Sequence, residues 1–284
     1  KTVLEKLNSM LENEPQRAGR IKCINVLDDD SKNTDWITRA FNRKYYKVEG
    51  KIHEQIVKTD GEPADTFVCA VVIKHVGYAL NDDEKKKKAS RNIKLLKKRL
   101  AELEKNFDSD ITQNNEKEIP YIYYQLGKSY YMEKDYNNAC DFFSKGLSFD
   151  LEPKLEYVID MVETYGYAML NSGKVQEALS YTSIYDVFGN SADFKFLMGL
   201  IYMKNAMFDE AVNEFQKAAE YKESRVEGAN SYLAYYNIGV IYECLGNIGK
   251  AQEYYKKCNG YSKAVERLEN GRQGNLTKCR KTWV

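Results

Sequence analysis

At 284 residues, with 43% apolar and 13% aromatic content, the chain has material for one large core or two ordinary ones, and two domains fit better. Its 43 basic residues balance 42 acidic ones, so no global field draws it to nucleic acid or an anionic membrane, and binding falls to local sites. No run of about 18 apolar residues occurs, and Lys1-Thr2-Val3-Leu4-Glu5 lacks the apolar core of a signal peptide, which excludes a transmembrane segment and reads as cytoplasmic.

The first residue is not Met, which reads as a piece of something longer. Apolar residues at Val3, Leu4, Leu7 and Leu11 predict a helix over 2–11. Four strand-like stretches come next, 22–27, 36–41, 46–56 and 67–76, rich in β-branched and aromatic residues and parted by Asp, Asn, Lys, Gly and Pro. One helix and four strands would expose sheet faces and edges, so this piece belongs to a larger domain or leans on the rest of the chain. If 46–56 is one strand, Val48, Ile52, Glu54 and Ile56 share a face. Glu54 then needs a partner, a raised pKa or a bend near Gly50, and a general base or a Glu bridged to a Lys or Arg both meet that need. His75 comes after Val71 and Ile73 on one strand face and reads either as a site residue or as a satisfied core histidine.

From 81 to 107, Ile93, Leu96, Leu100, Leu103 and Phe107 form a single apolar seam, which predicts one long connecting helix. Lys85 to Lys88 would be a solvated stretch at its start; a phosphate or nucleic-acid patch is the sharper reading, but no aromatics interleave the lysines. The six cysteines (Cys23, Cys69, Cys140, Cys244, Cys258, Cys279) form no CxxC pair, which favours reduced, buried thiols over a disulfide frame or a zinc site.

Beyond residue 119 one pattern recurs: an apolar residue, Gly, a large residue three on, Ala twelve after the Gly, and a bulky residue four later. It reads Leu126-Gly127, Tyr130, Ala139, Phe143; then Tyr165-Gly166, Met169, Ala178, Thr182 in degenerate form; then Met198-Gly199, Tyr202, Ala211, Phe215; then Ile238-Gly239, Tyr242, Ala251, Tyr255. Turns are predicted at Asp135-Tyr136, Gly173-Lys174 and Gly246-Asn247, a capping helix over 261–269, and a basic tail over 271–284. The pattern resembles the tetratricopeptide repeat, with two of three glycine intervals longer than its usual unit of about 34 residues. Small Gly and Ala let antiparallel helices approach, and aromatics fill the space between hairpins. The resemblance implies an all-α superhelix whose concave face binds extended peptides or partner helices. Its lining residues would be Tyr121, Tyr124, Lys128, Tyr131, Phe196, Leu200, Met203, Tyr236 and Val240, an aromatic groove with little charge. Tyr124 and Lys128 stand where some such domains place Lys and Asn to grip a carboxylate, so that clamp is not expected. The same aromatics also suit plain packing or a homodimer.

Residues 36–56 (WITRAFNRKYYKVEGKIHEQI), VIKHVGY at 72–78 and KKKASRNIKLLKKRL, leading into the repeats, resemble bacterial family 2 glycosyltransferases with C-terminal repeats. The shared motifs fall on Arg39, Phe41 and Arg43; on Gly50, Ile52, His53 and Glu54; on His75, Gly77 and Tyr78; and on Arg91, Asn92, Leu95 and Leu96, covering residues 35–100. The resemblance implies that 1–80 is the acceptor-side part of a GT-A domain with mixed strands, an α+β remnant, followed by a connecting helix (81–108) and the repeats with their cap (119–270). It gives Glu54 the role of base towards an acceptor hydroxyl and His53 a metal, diphosphate or acceptor contact, with Arg39, Arg43 and His75 on the acceptor side. Mg or Mn and a nucleotide-sugar are implied for a full enzyme, and no cofactor for this portion, which is not expected to turn over alone. Asp28 and Asp30 after an apolar strand have the look of the metal-diphosphate motif. They stand much closer to His53 than in the family, however, and read as an acidic loop. A non-enzymatic interaction module is the competing reading.

Overall fold

A computed structural model of the chain describes residues 2–26, 32–49, 55–62, 64–75, 82–105 and 112–272. Two compact units emerge, Lys1–Leu96 and Lys97–Val284. The first is a small sheet unit and the second is helical.

In the sheet unit, α1 (Val3–Asn13) opens with a capping box: the Glu5 amide donates to Thr2 Oγ1 (3.3 Å), and the Thr2 amide donates to the Glu5 carboxylate (2.9 Å). The main sheet has the order β2-β1-β5, with β1 (Ala18–Val26) antiparallel to β2 (Lys32–Ala40) and parallel to β5 (Thr66–His75). Leu7 and Leu11 of α1 pack on Ala40, Phe67 and Cys69, so Phe67 and Cys69 of β5 are buried while Val68 between them is exposed. Tyr46, 1% exposed, fixes the chain after β2 by donating to the carbonyls of Gln16 (2.8 Å) and Asp65 (3.1 Å).

The single strand expected over 46–56 is corrected. β3 (Tyr46–Glu49) and β4 (Gln55–Lys58) are two strands paired antiparallel, with Val48 opposite Ile56. Val48 and Ile56 meet as cross-strand partners, and Glu54 and His53 lie outside the described residues.

The long helix is α2 (Asp82–Lys105), and its seam is buried at Ile93, Leu96, Leu100 and Leu103. The unit boundary falls within it. Beyond it lie α3 (Thr112–Met132), α4 (Tyr136–Leu147), α5 (Glu156–Asn171), a 3-10 helix (Glu177–Ile184), α6 (Tyr185–Phe188), α7 (Ala192–Lys204), α8 (Phe208–Ala219), α9 (Tyr232–Cys244), α10 (Ile248–Lys257) and α11 (Ser262–Arg272). The repeated glycines work as their spacing implies. A Cβ on Gly127 would lie 2.5 Å from the Phe143 ring, on Gly199 2.6 Å from Phe215, and on Gly239 2.5 Å from Tyr255. Each aromatic thus lies flat on a bare backbone, with Ala139, Ala211 and Ala251 buried beside it.

The degenerate second repeat differs in winding. Its second helix begins as a 3-10 helix, whose three residues per turn shift the inward register by one. Tyr181, 4% exposed, fills the position assigned to Thr182, and its hydroxyl donates to the Val162 carbonyl at 2.6 Å. Thr182 is exposed. Cys23, Cys69, Cys140 and Cys258 are free and buried as expected, but Cys244 is disulfide-bonded, a departure from the all-reduced reading.

Candidate functional site

The first helices of successive hairpins, α3, α5, α7 and α9, share a face that presents the site. Tyr121, Tyr124 and Tyr157 form an aromatic cluster at one end, with ring centroids 5.2–5.7 Å apart. Beside it Asp160 of α5 accepts from Lys128 Nζ (2.6 Å) and from the Tyr124 hydroxyl (2.5 Å), and pairs with the Arg225 guanidinium. The other arm of Arg225 reaches Glu163 at 3.2 Å. Asp193, near the start of α7, accepts two consecutive backbone amides, Arg225 through Oδ2 and Val226 through Oδ1, each at 2.8 Å. Three carboxylates thus converge on one arginine delivered by residues 221–231, an irregular stretch between α8 and α9.

Burial alone would raise the Asp160 carboxyl, but Lys128 and Arg225 overcome it and hold Asp160 well below the usual carboxylate range. Glu163 goes the other way. Burial pushes it up to about 8, against the pull of Arg225 and with the help of the Asp193 and Asp160 charges. An acid whose folded pKa lies above its unfolded value holds a proton that the unfolded chain has released. The fold therefore loses stability as pH rises from the ordinary value of 4.5 to about 8. Between roughly pH 6 and pH 8 the loss should be about 1–2 kcal/mol. Glu163→Gln should flatten that slope, and urea midpoints at the two pH values check it.

The residues expected to line a groove divide into two groups. Tyr121 and Lys128 are part-exposed. Tyr131 is also part-exposed and accepts from Asn171 Nδ2 at 3.2 Å. Tyr124 is buried but belongs to the cluster. Phe196, Leu200, Met203 and Tyr236 correct the expectation: at 4%, 5%, 2% and 2% exposure they are core, and Val240 at 2% goes with them. Their cover comes from the chain itself. Phe196, Leu200 and Met203 share one apolar cluster with Ala211, Phe215, Ile238 and Ile241 of the neighbouring helices, Ala229 belongs to it too, and Val226 packs at its edge. Tyr261 and Arg267 close on Tyr236, with rings 5.4 Å apart and a 3.0 Å bond from Arg267 Nε to the Tyr236 hydroxyl. The expected low charge is also corrected, by the ion cluster. Asp160, Glu163, Asp193 and Arg225 were not read from the sequence, although Asp160 and Asp193 stand at the same offset before Gly166 and Gly199 as Tyr121 before Gly127.

In the sheet unit His75 is exposed at the end of β5, not in the core, because burial fades along that strand beyond Cys69. Its Nδ1 lies 2.9 Å from Asn25 Oδ1, and buried Asn25 donates to Asn33 (2.7 Å) and Asp35 (2.8 Å). Burial pushes the neighbouring Cys23 thiol up, Asp35 adds to this, and Arg39 opposes it, so Cys23 is not a primed nucleophile. Arg39 and Arg43 are exposed. Asp28, Asp30, His53 and Glu54 lie outside the described residues. Among the described residues no group of three or more His, Cys, Asp or Glu is placed to hold a metal, and no helix is long and apolar enough to cross a membrane.

Residues 121–145 match one tetratricopeptide repeat family model, and residues 192–225 and 232–264 match another. The helical unit carries tetratricopeptide repeats. The degenerate hairpin, with its 3-10 winding, falls between the matched spans. Similar solved structures include YrrB, described as a tetratricopeptide protein with an unusual peptide-binding site, at 23% identity and TM-score 0.48 over 63% of this chain and 85% of that one. MamA from residue 41 onward, from Desulfovibrio magneticus RS-1, is 18% identical with TM-score 0.44 over 67% and 96%. The C-terminal part of a repeat protein from Cytophaga hutchinsonii is 15% identical with TM-score 0.45 over 70% and 74%. No curated protein matches the chain.

Proposed function

We propose that this chain acts through its tetratricopeptide repeats as a protein-interaction module, with the first-helix face of α3 and α5 as the contact surface. The observation that carries this reading is the part-exposed Tyr121 and Tyr157 beside Lys128 and Asp160. Aromatic anchors next to a fixed ion pair are the composition of a recognition surface. The glycosyltransferase reading gives Glu54 and His53 their roles in a longer enzyme with Mg or Mn and a nucleotide-sugar. It rests on sequence resemblance alone and gains no support from the matched repeats, so the interaction reading takes its place. A photo-crosslinking amino acid at Tyr121 in the full chain tests the proposal in the cells of origin. Protein adducts at Tyr121, and few at exposed Lys256 on α10, are expected. No adducts at Tyr121, or equal yields at both positions, would overturn it.

A further inference from the structure

The interval between Gly199 and Gly239 is about six residues longer than the usual repeat, and the irregular stretch 221–231 in which the extra length falls lies against the first-helix face as a bound segment would. Its main chain is gripped by the Asp193 carboxylate through two adjacent amides, an interaction blind to side-chain identity. The Arg225 guanidinium is read by Asp160 and Glu163. Val226 enters the apolar cluster of Phe196, Leu200 and Met203. Main-chain grip, charged pocket and apolar pocket are the three components of extended-peptide recognition, and here all three act on an irregular stretch of the same chain. The stretch also has its own internal support: Ser224 Oγ donates to the Val226 carbonyl (2.7 Å), and Asn230 Nδ2 donates to the Tyr221 carbonyl (2.9 Å). With Arg225 set aside, the receptor side keeps the Asp160 and Asp193 carboxylates beside Lys128, and Glu163 as a buried carboxyl that holds its proton near neutrality.

We infer that residues 221–231 are a built-in occupant of the interaction face, and that the partner is an extended segment carrying an arginine followed by an apolar residue, which takes the place of Arg225 and Val226. This rests on the interaction-module reading and names the partner chemistry for the α5 and α7 part of the first-helix face, which adjoins the Tyr121 cluster at Asp160. A tethered occupant competes at a local concentration on the order of millimolar, so the intact chain binds such segments weakly and gains affinity when the occupant's side chains are removed.

The test uses a synthetic peptide copying Lys222–Gly228, titrated by calorimetry into the full chain and into an Arg225→Ala, Val226→Ala double variant whose fold is checked by circular dichroism. The double variant should bind the peptide at least tenfold more tightly than the intact chain. A peptide with alanine in place of its arginine should lose at least tenfold. If the double variant does not fold, Arg225→Lys keeps a cation but not the two-armed pairing, and a threefold or greater gain is expected there. A folded variant with no gain, or equal binding of the alanine peptide, would overturn the inference. Tyr121 crosslinks obtained alongside such a failure would leave the interaction reading standing; loss of both would remove both.

Discussion

Asp160→Ala is expected to lower the stability of the helical unit by about 3 kcal/mol, at the low end of the range for breaking a buried pair. Asp160 has 13% side-chain exposure and compensates two cations at once, Lys128 and Arg225, while accepting from Tyr124 at 2.5 Å. Removing it leaves two positive charges facing each other and a buried phenol without its acceptor. Lys128 and Arg225 retain 37% and 34% side-chain exposure, so water recovers part of their loss and the larger figures in the range do not apply. The pH dependence separates charge from packing. The depressed Asp160 carboxyl contributes stability that is present above its ordinary value of 3.8 and lost as pH falls through the lower folded value. The deficit of the variant should therefore be full near neutrality and shrink in acid, as urea unfolding at several pH values would show. An unchanged deficit in acid would assign the effect to shape alone.

Phe215→Ala should cost about 3–5 kcal/mol, the usual range for truncating a buried phenylalanine. Phe215 is 0% exposed, lies against the bare backbone of Gly199 and packs beside Phe196 with ring centroids 5.4 Å apart. The neighbouring elements cannot close in, because α8 is packed against α7 of its own hairpin and α9 of the next, and a void remains. In an array whose units contact only their neighbours, the loss also weakens the junction to the following hairpin. Asn213→Ala, two residues earlier on the exposed side of the same helix, should change stability by less than about 0.5 kcal/mol. Paired urea titrations followed by circular dichroism compare the two.

The hairpins were legible because their packing is local: a glycine, an alanine and an aromatic at fixed offsets specify one helix pair without reference to the rest of the chain. The second hairpin was misread by one residue, since the pattern assumes α winding and Tyr181 sits inward only on a 3-10 turn. The β3/β4 pairing was missed because alternation over Tyr46–Ile56 is compatible with one strand or two, and only the ladder between Val48 and Ile56 decides. The ion cluster was half legible. Asp160 and Asp193 occupy repeat positions, but Arg225 comes from a stretch with no period, and nothing in its neighbours announces where its side chain goes. Burial of Phe196, Leu200 and Met203 was hidden because they join the apolar cluster formed with α8 and α9, where Phe196 packs beside Phe215.

The tips of the four hairpins share a backbone feature that bears directly on dynamics. Seven residues after each repeated glycine the chain turns through the left-handed region, at Lys134 (φ 62°), Gly173 (φ 82°), Ala206 (φ 58°) and Gly246 (φ 76°). Glycine enters that region without steric penalty, whereas a residue with a Cβ is opposed by roughly 1–2 kcal/mol. The first and third tips are therefore sprung and the second and fourth are relaxed, so local opening alternates in its ease along the superhelix and does not fade smoothly from either end.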